Sequence, residues 1–75
     1  MEQLTKIKPG KRGVVAAIQG NTHFLSRITS IGLTVGCPVE VLQNETRQPV
    51  LVYGRDTLIA LNRKESEKIM LEVGA

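Results

Sequence analysis

The stretch Arg27-Ile28-Thr29-Ser30-Ile31-Gly32-Leu33-Thr34-Val35-Gly36-Cys37-Pro38-Val39-Glu40-Val41 decides the fold. It reads as the end of a helix, a stop, a tight turn and the start of a strand. Gly32 falls where a left-handed residue closes a helix, with Ile31 as the cap residue. Leu33 then occupies the position whose side chain packs back on Ile28, three residues before the cap. Gly36 suits the second central position of a type II turn, which requires positive φ. Pro38 cannot continue a helix, and Val39-Glu40-Val41 alternates as a half-buried strand does.

Upstream of this hook, Gly13-Val14-Val15-Ala16-Ala17-Ile18 reads as a strand, with Val14, Ala16 and Ile18 on one face and Val15 and Ala17 on the other. Gly20-Asn21 breaks it, and Asn21 or Thr22 is a candidate N-cap. The helix that follows carries Leu25, Ile28 and Ile31 as an apolar stripe, with Phe24 at its border and Arg27 to one side. Downstream, the second strand runs to about Gln43. Asn44-Glu45-Thr46-Arg47-Gln48 has no apolar residue and reads as a hairpin loop. Pro49 opens a third strand over Val50-Leu51-Val52-Tyr53, Gly54-Arg55-Asp56 is a turn, and Thr57 to Leu61 is a fourth strand. Asn62-Arg63-Lys64-Glu65 has the form of a capping box at the start of a short helical turn. Ile69-Met70-Leu71-Glu72-Val73 closes the chain as a fifth strand with Ile69, Leu71 and Val73 facing in. Five short strands and one helix in a single domain spanning residues 1–75 predict an all-β fold with one short helix, a small closed or nearly closed barrel.

A chain of 75 residues buries only about 60% of its unfolded surface and has no room for both a core and a deep substrate cleft. That argues for a non-enzymatic protein. No apolar run approaches the roughly 20 residues of a membrane span, so no membrane insertion is expected. The start, Met1-Glu2-Gln3-Leu4-Thr5-Lys6, lacks the apolar stretch of a signal peptide. A single cysteine forms no internal disulfide, and the expected location is the cytoplasm, with recruitment to the inner face of the membrane as an option. The net charge of +3 is concentrated early, at Lys6, Lys8, Lys11 and Arg12, whereas Arg63, Lys64 and Lys68 are diluted by Glu65 and Glu67. Such charge is ordinarily a solvated face, or else a docking patch for an acidic protein surface, a phosphate backbone or lipid headgroups.

Sites of chemistry are missing. His23 and Cys37 are the only residues of their kinds, and Glu40, Glu45, Asp56 and Glu72 lie on separate elements. No spacing forms a ligand pair, so no metal site and no cofactor are expected. Cys37 reads as a small half-buried residue beside a turn. Gly10-Lys11-Arg12-Gly13 lacks the spacing of a phosphate-binding loop. Two aromatic residues, Phe24 and Tyr53, do not make the aromatic groove that a polyproline ligand needs.

The pattern Arg27-apolar-x-x-apolar-Gly32-apolar-x-x-Gly36-x-x-Val39 resembles the helix-and-turn element of the FeoA family, small cytosolic proteins of ferrous-iron uptake. The resemblance covers nearly the whole chain. Leu4, Ile7, Pro9, Gly10, Gly13 and Val15 match the family's opening, and Pro49 to Val52, Leu58 to Leu61, Glu65 and Ile69 its closing half. Ile28 and Ile31 stand where leucine or methionine is commoner, Ser66 replaces a usual alanine and Cys37 a usual threonine. The resemblance implies an SH3-like barrel. It also implies a partner, the large membrane ferrous-iron transporter with its cytosolic GTPase domain.

Contact residues follow by elimination. Inner strand faces are committed to the core, and Asn44–Gln48 is polar throughout. The hook offers a cation at Arg27 and a small apolar tip at Thr34-Val35, with Gly32, Leu33 and Gly36 holding its shape. A different reading takes the basic segment Lys8 to Ile18 as the Gly-x-Val-x-x-Ile element of a small RNA-binding barrel. The lack of stacking aromatics and the small positive excess weigh against it, and no nucleic-acid partner is expected. The SH3-like domain of iron-dependent repressors is a further fold cousin, but the chain has no DNA-binding helix pair.

Overall fold

A computed structural model describes residues 1–74. The strands are β1 (Glu2–Gln3), β2 (Arg12–Ile18), β3 (Pro38–Gln43), β4 (Val50–Gly54), β5 (Thr57–Leu61) and β6 (Ile69–Val73). A 3-10 turn covers Leu4–Lys6, helix α1 spans Thr22–Ser30 and helix α2 spans Arg63–Ser66. All six strands lie in one antiparallel sheet in the order β1-β6-β2-β3-β4-β5. The fold is thus predominantly β, as the alternation predicts, and among the described residues α1 is the only helix longer than about one turn.

The expected small barrel of about five strands, closed or nearly closed, takes the form of six strands in a sheet that stays open. The sixth strand is β1, where Glu2 faces Leu71 and Gln3 faces Met70. Two residues followed at once by a 3-10 turn carry no alternation to read. The sheet is also not closed, since β1 and β5 remain its two edges. The chain leaves β5 into α2 instead of pairing onward, and side chains bridge the gap. Asn44 Nδ2 donates to the carbonyls of Thr5 at 2.8 Å and Ile7 at 2.7 Å, and Arg63 Nη1 donates to Asn44 Oδ1 at 2.5 Å.

Strand faces differ from strict alternation at two bulges. Val15 faces Leu71 but Ala17 faces Met70, so Ala16 is an extra residue in β2. The phase shift puts Val15 in the core and packs Ile18 against the same core, although the sequence places them on opposite faces. In β3, Val41 faces Val52 and Gln43 faces Leu51, which makes Leu42 the extra residue and leaves it exposed.

One core results. Leu4, Ile7, Val15, Phe24, Ile28, Leu33, Cys37, Val39 and Val41 join Val50, Val52, Ile59, Leu61, Ile69 and Leu71 in a single cluster. The α1 stripe is Phe24, Ile28 and Ile31, whereas Leu25 is exposed. Helix geometry explains the shift. Leu25 lies about 100° around the helix from Phe24, whereas Ile28 and Ile31 fall within about 40° of it. Cys37 is fully buried, not half-buried.

Candidate functional site

The hook is built by its main chain. Helix α1 starts at Asn21, whose Oδ1 accepts from the Phe24 amide at 2.8 Å. It ends at the cap residue Ile31. The Leu33 amide donates to the Ile28 carbonyl at 3.2 Å and the Gly32 amide to the Thr29 carbonyl at 3.0 Å. These are the two bonds of a Schellman cap, and Gly32 has the positive φ, 102°, that it requires. Leu33 and Ile28 are both buried in the core.

The chain then turns over Thr34-Val35-Gly36-Cys37. The Cys37 amide closes the turn on the Thr34 carbonyl at 3.0 Å, and Gly36 has φ 93° at the third position, as type II geometry demands. Two bonds to β2 pin it. The Gly36 amide donates to Val15 O at 2.7 Å, and the Val15 amide donates to Cys37 O at 2.9 Å.

This backbone presents Val35 with 64% of its surface exposed. Beside it, Thr34 Oγ1 accepts from Arg55 Nη2 at 3.0 Å. Arg55 comes from the two-residue turn between β4 and β5, where Arg55 and Asp56 both have positive φ, 52° and 60°, the pattern of a type I′ hairpin. Sequence reading gave Arg55 no role, and only the fold brings it to the hook.

Arg27 is half-exposed and ion-paired with Glu65 of α2. Glu65 also closes the predicted capping box. Its amide donates to Asn62 Oδ1 at 2.8 Å, and its Oε1 accepts from the Asn62 amide at 3.1 Å. One carboxylate therefore caps α2 with Oε1 and ties α1 to it through Oε2. Arg27 lies on the flank of α1, and Thr34 and Val35 form the tip, so the three predicted contact residues occupy one continuous segment but not one tight cluster.

The outer faces of β4 and β5 place Tyr53 directly opposite Leu58, both exposed. The Tyr53 hydroxyl donates to Asp56 Oδ1 at 3.2 Å. That hydrogen bond, and then the Asp56 charge, hold the phenol above its usual pKa of 10.0.

His23 is exposed on α1 and Cys37 is buried under the hook, so they are not a pair. Among the described residues no three His, Cys, Asp or Glu side chains stand close enough to hold a metal ion. No helix among them is long and apolar enough to cross a membrane.

The chain is similar to solved structures over almost its full length. A crystal structure of an iron uptake regulatory protein, FeoA, is 24% identical, with 95% of each chain covered and a TM-score of 0.89. The solution structure of a FeoA protein from Chlorobium tepidum is 25% identical, covering 97% of this chain and 70% of that one, with a TM-score of 0.85. A manganese-dependent transcriptional repressor matches at 22% identity and a TM-score of 0.89, over 96% of this chain but 41% of its own. No curated protein matches by sequence. The FeoA domain profile matches residues 2–73, and with this match and this SH3-like fold the chain belongs to the FeoA family.

Proposed function

We propose that this protein is a non-enzymatic accessory of ferrous-iron uptake that docks on the cytosolic, GTPase-bearing part of the membrane iron transporter. Family membership supports a role in ferrous-iron transport. The observation that carries the docking face is Val35, largely exposed on a turn fixed to both α1 and β2. An apolar side chain on a rigid backbone loses little entropy on binding, and such anchors dominate interfaces. Arg27 lies on the flank of this face with its guanidinium shared with Glu65. A partner carboxylate competing for that guanidinium meets a half-exposed group that needs little further desolvation.

The test is ferrous-iron uptake in cells lacking the native protein, complemented with Val35→Glu or Arg27→Ala. Each variant is checked for folding. Val35→Glu is expected to abolish complementation, because it buries a charge at the centre of the contact. Truncating Arg27 is expected to weaken it, and Glu65→Gln separates the two roles of Arg27. Gln keeps the capping box but removes the ion pair. Uptake retained in Glu65→Gln and lost in Arg27→Ala marks Arg27 as a contact. Full uptake from folded Val35→Glu puts the docking face elsewhere.

A further inference from the structure

The end of the sheet where β1 meets β6 carries a depression of about 310 Å³, lined by Glu2, Lys6, Ile7, Lys8, Lys11 and Val73. Three lysines face one hollow, and the backbone holds them there. Lys8-Pro9-Gly10-Lys11 is a turn closed by the Lys11 amide on the Lys8 carbonyl at 3.2 Å, with Gly10 at φ 91°. Pro and Gly at its two central positions are what a type II turn requires, and such a turn keeps its end residues within about 7 Å between Cα atoms. The turn is in turn fixed to β3. The Gly10 amide donates to the Val41 carbonyl at 2.7 Å and the Val41 amide to the Lys11 carbonyl at 2.9 Å.

Like charges gathered around one hollow raise the local positive potential unless a neighbouring carboxylate neutralises them. Here none does. Among the described residues the ion-paired carboxylates are Glu40, Glu65 and Glu72, and none of them pairs with Lys6, Lys8 or Lys11. Glu2 lines the hollow but makes no ion pair with the lysines. All three lysines are exposed.

The hollow is not built for one small phosphate. The amides of Ile7, Gly10 and Lys11 already donate within the chain, so the ligand meets mobile ammonium groups and few oriented donors. Mobile point charges suit an extended anionic surface. No aromatic residue lines the hollow to stack a base, which disfavours single-stranded RNA. A negatively charged lipid leaflet fits, and it is the surface beside which an iron-transport accessory works. We infer that Lys6, Lys8 and Lys11 form a peripheral contact with anionic phospholipid headgroups; the choice of lipid over other polyanions rests on the transport reading above.

The experiment is co-sedimentation of the full chain with vesicles of phosphatidylcholine alone or with one third phosphatidylglycerol. A lysine near such a surface contributes roughly fivefold in partitioning. The expected result is a preference of up to about a hundredfold for the anionic vesicles, lost at high salt. Lys6→Gln, Lys8→Gln and Lys11→Gln should each reduce it severalfold and the triple variant should abolish it, with thermal melts confirming the fold. Glu2→Gln should strengthen binding, a sign that a structural role does not predict. Equal sedimentation with both vesicles, or a folded triple variant that binds as the parent does, overturns the inference. So does salt-dependent binding of a single-stranded RNA oligonucleotide without vesicle preference. The vesicles contain no transporter, so this outcome and that of the uptake assay are independent.

Discussion

Single residues decide where the chain can turn and where strands can close on each other, and glycine is needed for each reason at a different position. At Gly32 an added Cβ meets nothing within 4 Å, so the penalty of a side chain is purely conformational. Gly32→Ala is expected to lower stability by about 1–2 kcal/mol, read as a shifted midpoint in denaturant melts. An unchanged midpoint and slope would mean that the helix is stopped by other residues. At Gly13 its own backbone conformation is not the obstacle. A Cβ there lies 2.7 Å from the Glu72 carbonyl oxygen, a backbone atom of the neighbouring strand. Gly13→Ala forces β2 and β6 apart and is expected to cost about 1–3 kcal/mol by overpacking. The first glycine was legible in the sequence, because Gly followed by Leu after an amphipathic run is a helix stop. The second was legible only as part of the family resemblance, since contact with Glu72 depends on a pairing that no local pattern states. Tyr53 gives a check of another kind. It is the only tyrosine, so absorbance titration reads it without overlap. Asp56→Asn removes both the carboxylate acceptor and its charge, and the phenol should titrate lower than in the parent protein. No downward movement would mean that the hydroxyl does not donate to Asp56.

At the scale of elements, the sequence was read best where a signal is local and worst where it comes from a neighbour. The N-cap at Asn21 and the capping box from Asn62 to Glu65 use side chains within a few residues of the backbone they satisfy, and the Schellman cap at Gly32 uses main-chain bonds spanning no more than five residues. Short-range hydrogen bonding leaves a short-range pattern. The bulges at Ala16 and Leu42 leave none, because they exist only relative to β6 and β4. Their effect is large all the same, since a single extra residue exchanges the two faces of a strand. The hook from Arg27 to Gly36 followed the same division. Its backbone was predictable, but the partners of its side chains were not. Arg27 meets Glu65 across 38 positions and Thr34 meets Arg55 across 21. The Arg27–Glu65 pair links a half-exposed guanidinium on α1 to a largely covered carboxylate on α2, and with one partner still solvated its expected contribution is that of exposed pairs, about 0.2–1 kcal/mol. A double-mutant cycle of Arg27→Ala and Glu65→Gln should return a coupling within that range. A coupling near zero would leave the guanidinium free for a partner at no cost to the domain.

For the molecule as a whole, the distribution of groups that bind metals argues about function. A protein of iron transport could carry iron or could act on the protein that carries it. Ferrous iron needs several imidazole, thiolate or carboxylate groups converging on one point. Here the one imidazole, His23, is exposed on α1, and the one thiol, Cys37, is sealed in the core beneath the hook. Glu40 and Glu65 are engaged by Arg12 and Arg27, and Glu72 by the N-terminal amine. Recruiting Cys37 would require opening the hook, breaking its bonds to Val15 and exposing Leu33. Recruiting Glu65 would break the cap of α2 and the Arg27 pair together. The fold therefore opposes assembly of a site by rearrangement. Anaerobic titration calorimetry of the isolated protein with Fe²⁺ is expected to show only weak, substoichiometric heat, unchanged in Cys37→Ser. A tight stoichiometric site lost in His23→Ala or Cys37→Ser would falsify that expectation and would place iron on this protein as cargo. Weak heat abolished by His23→Ala alone fits a single exposed imidazole, which holds a metal ion loosely and with no selectivity for iron.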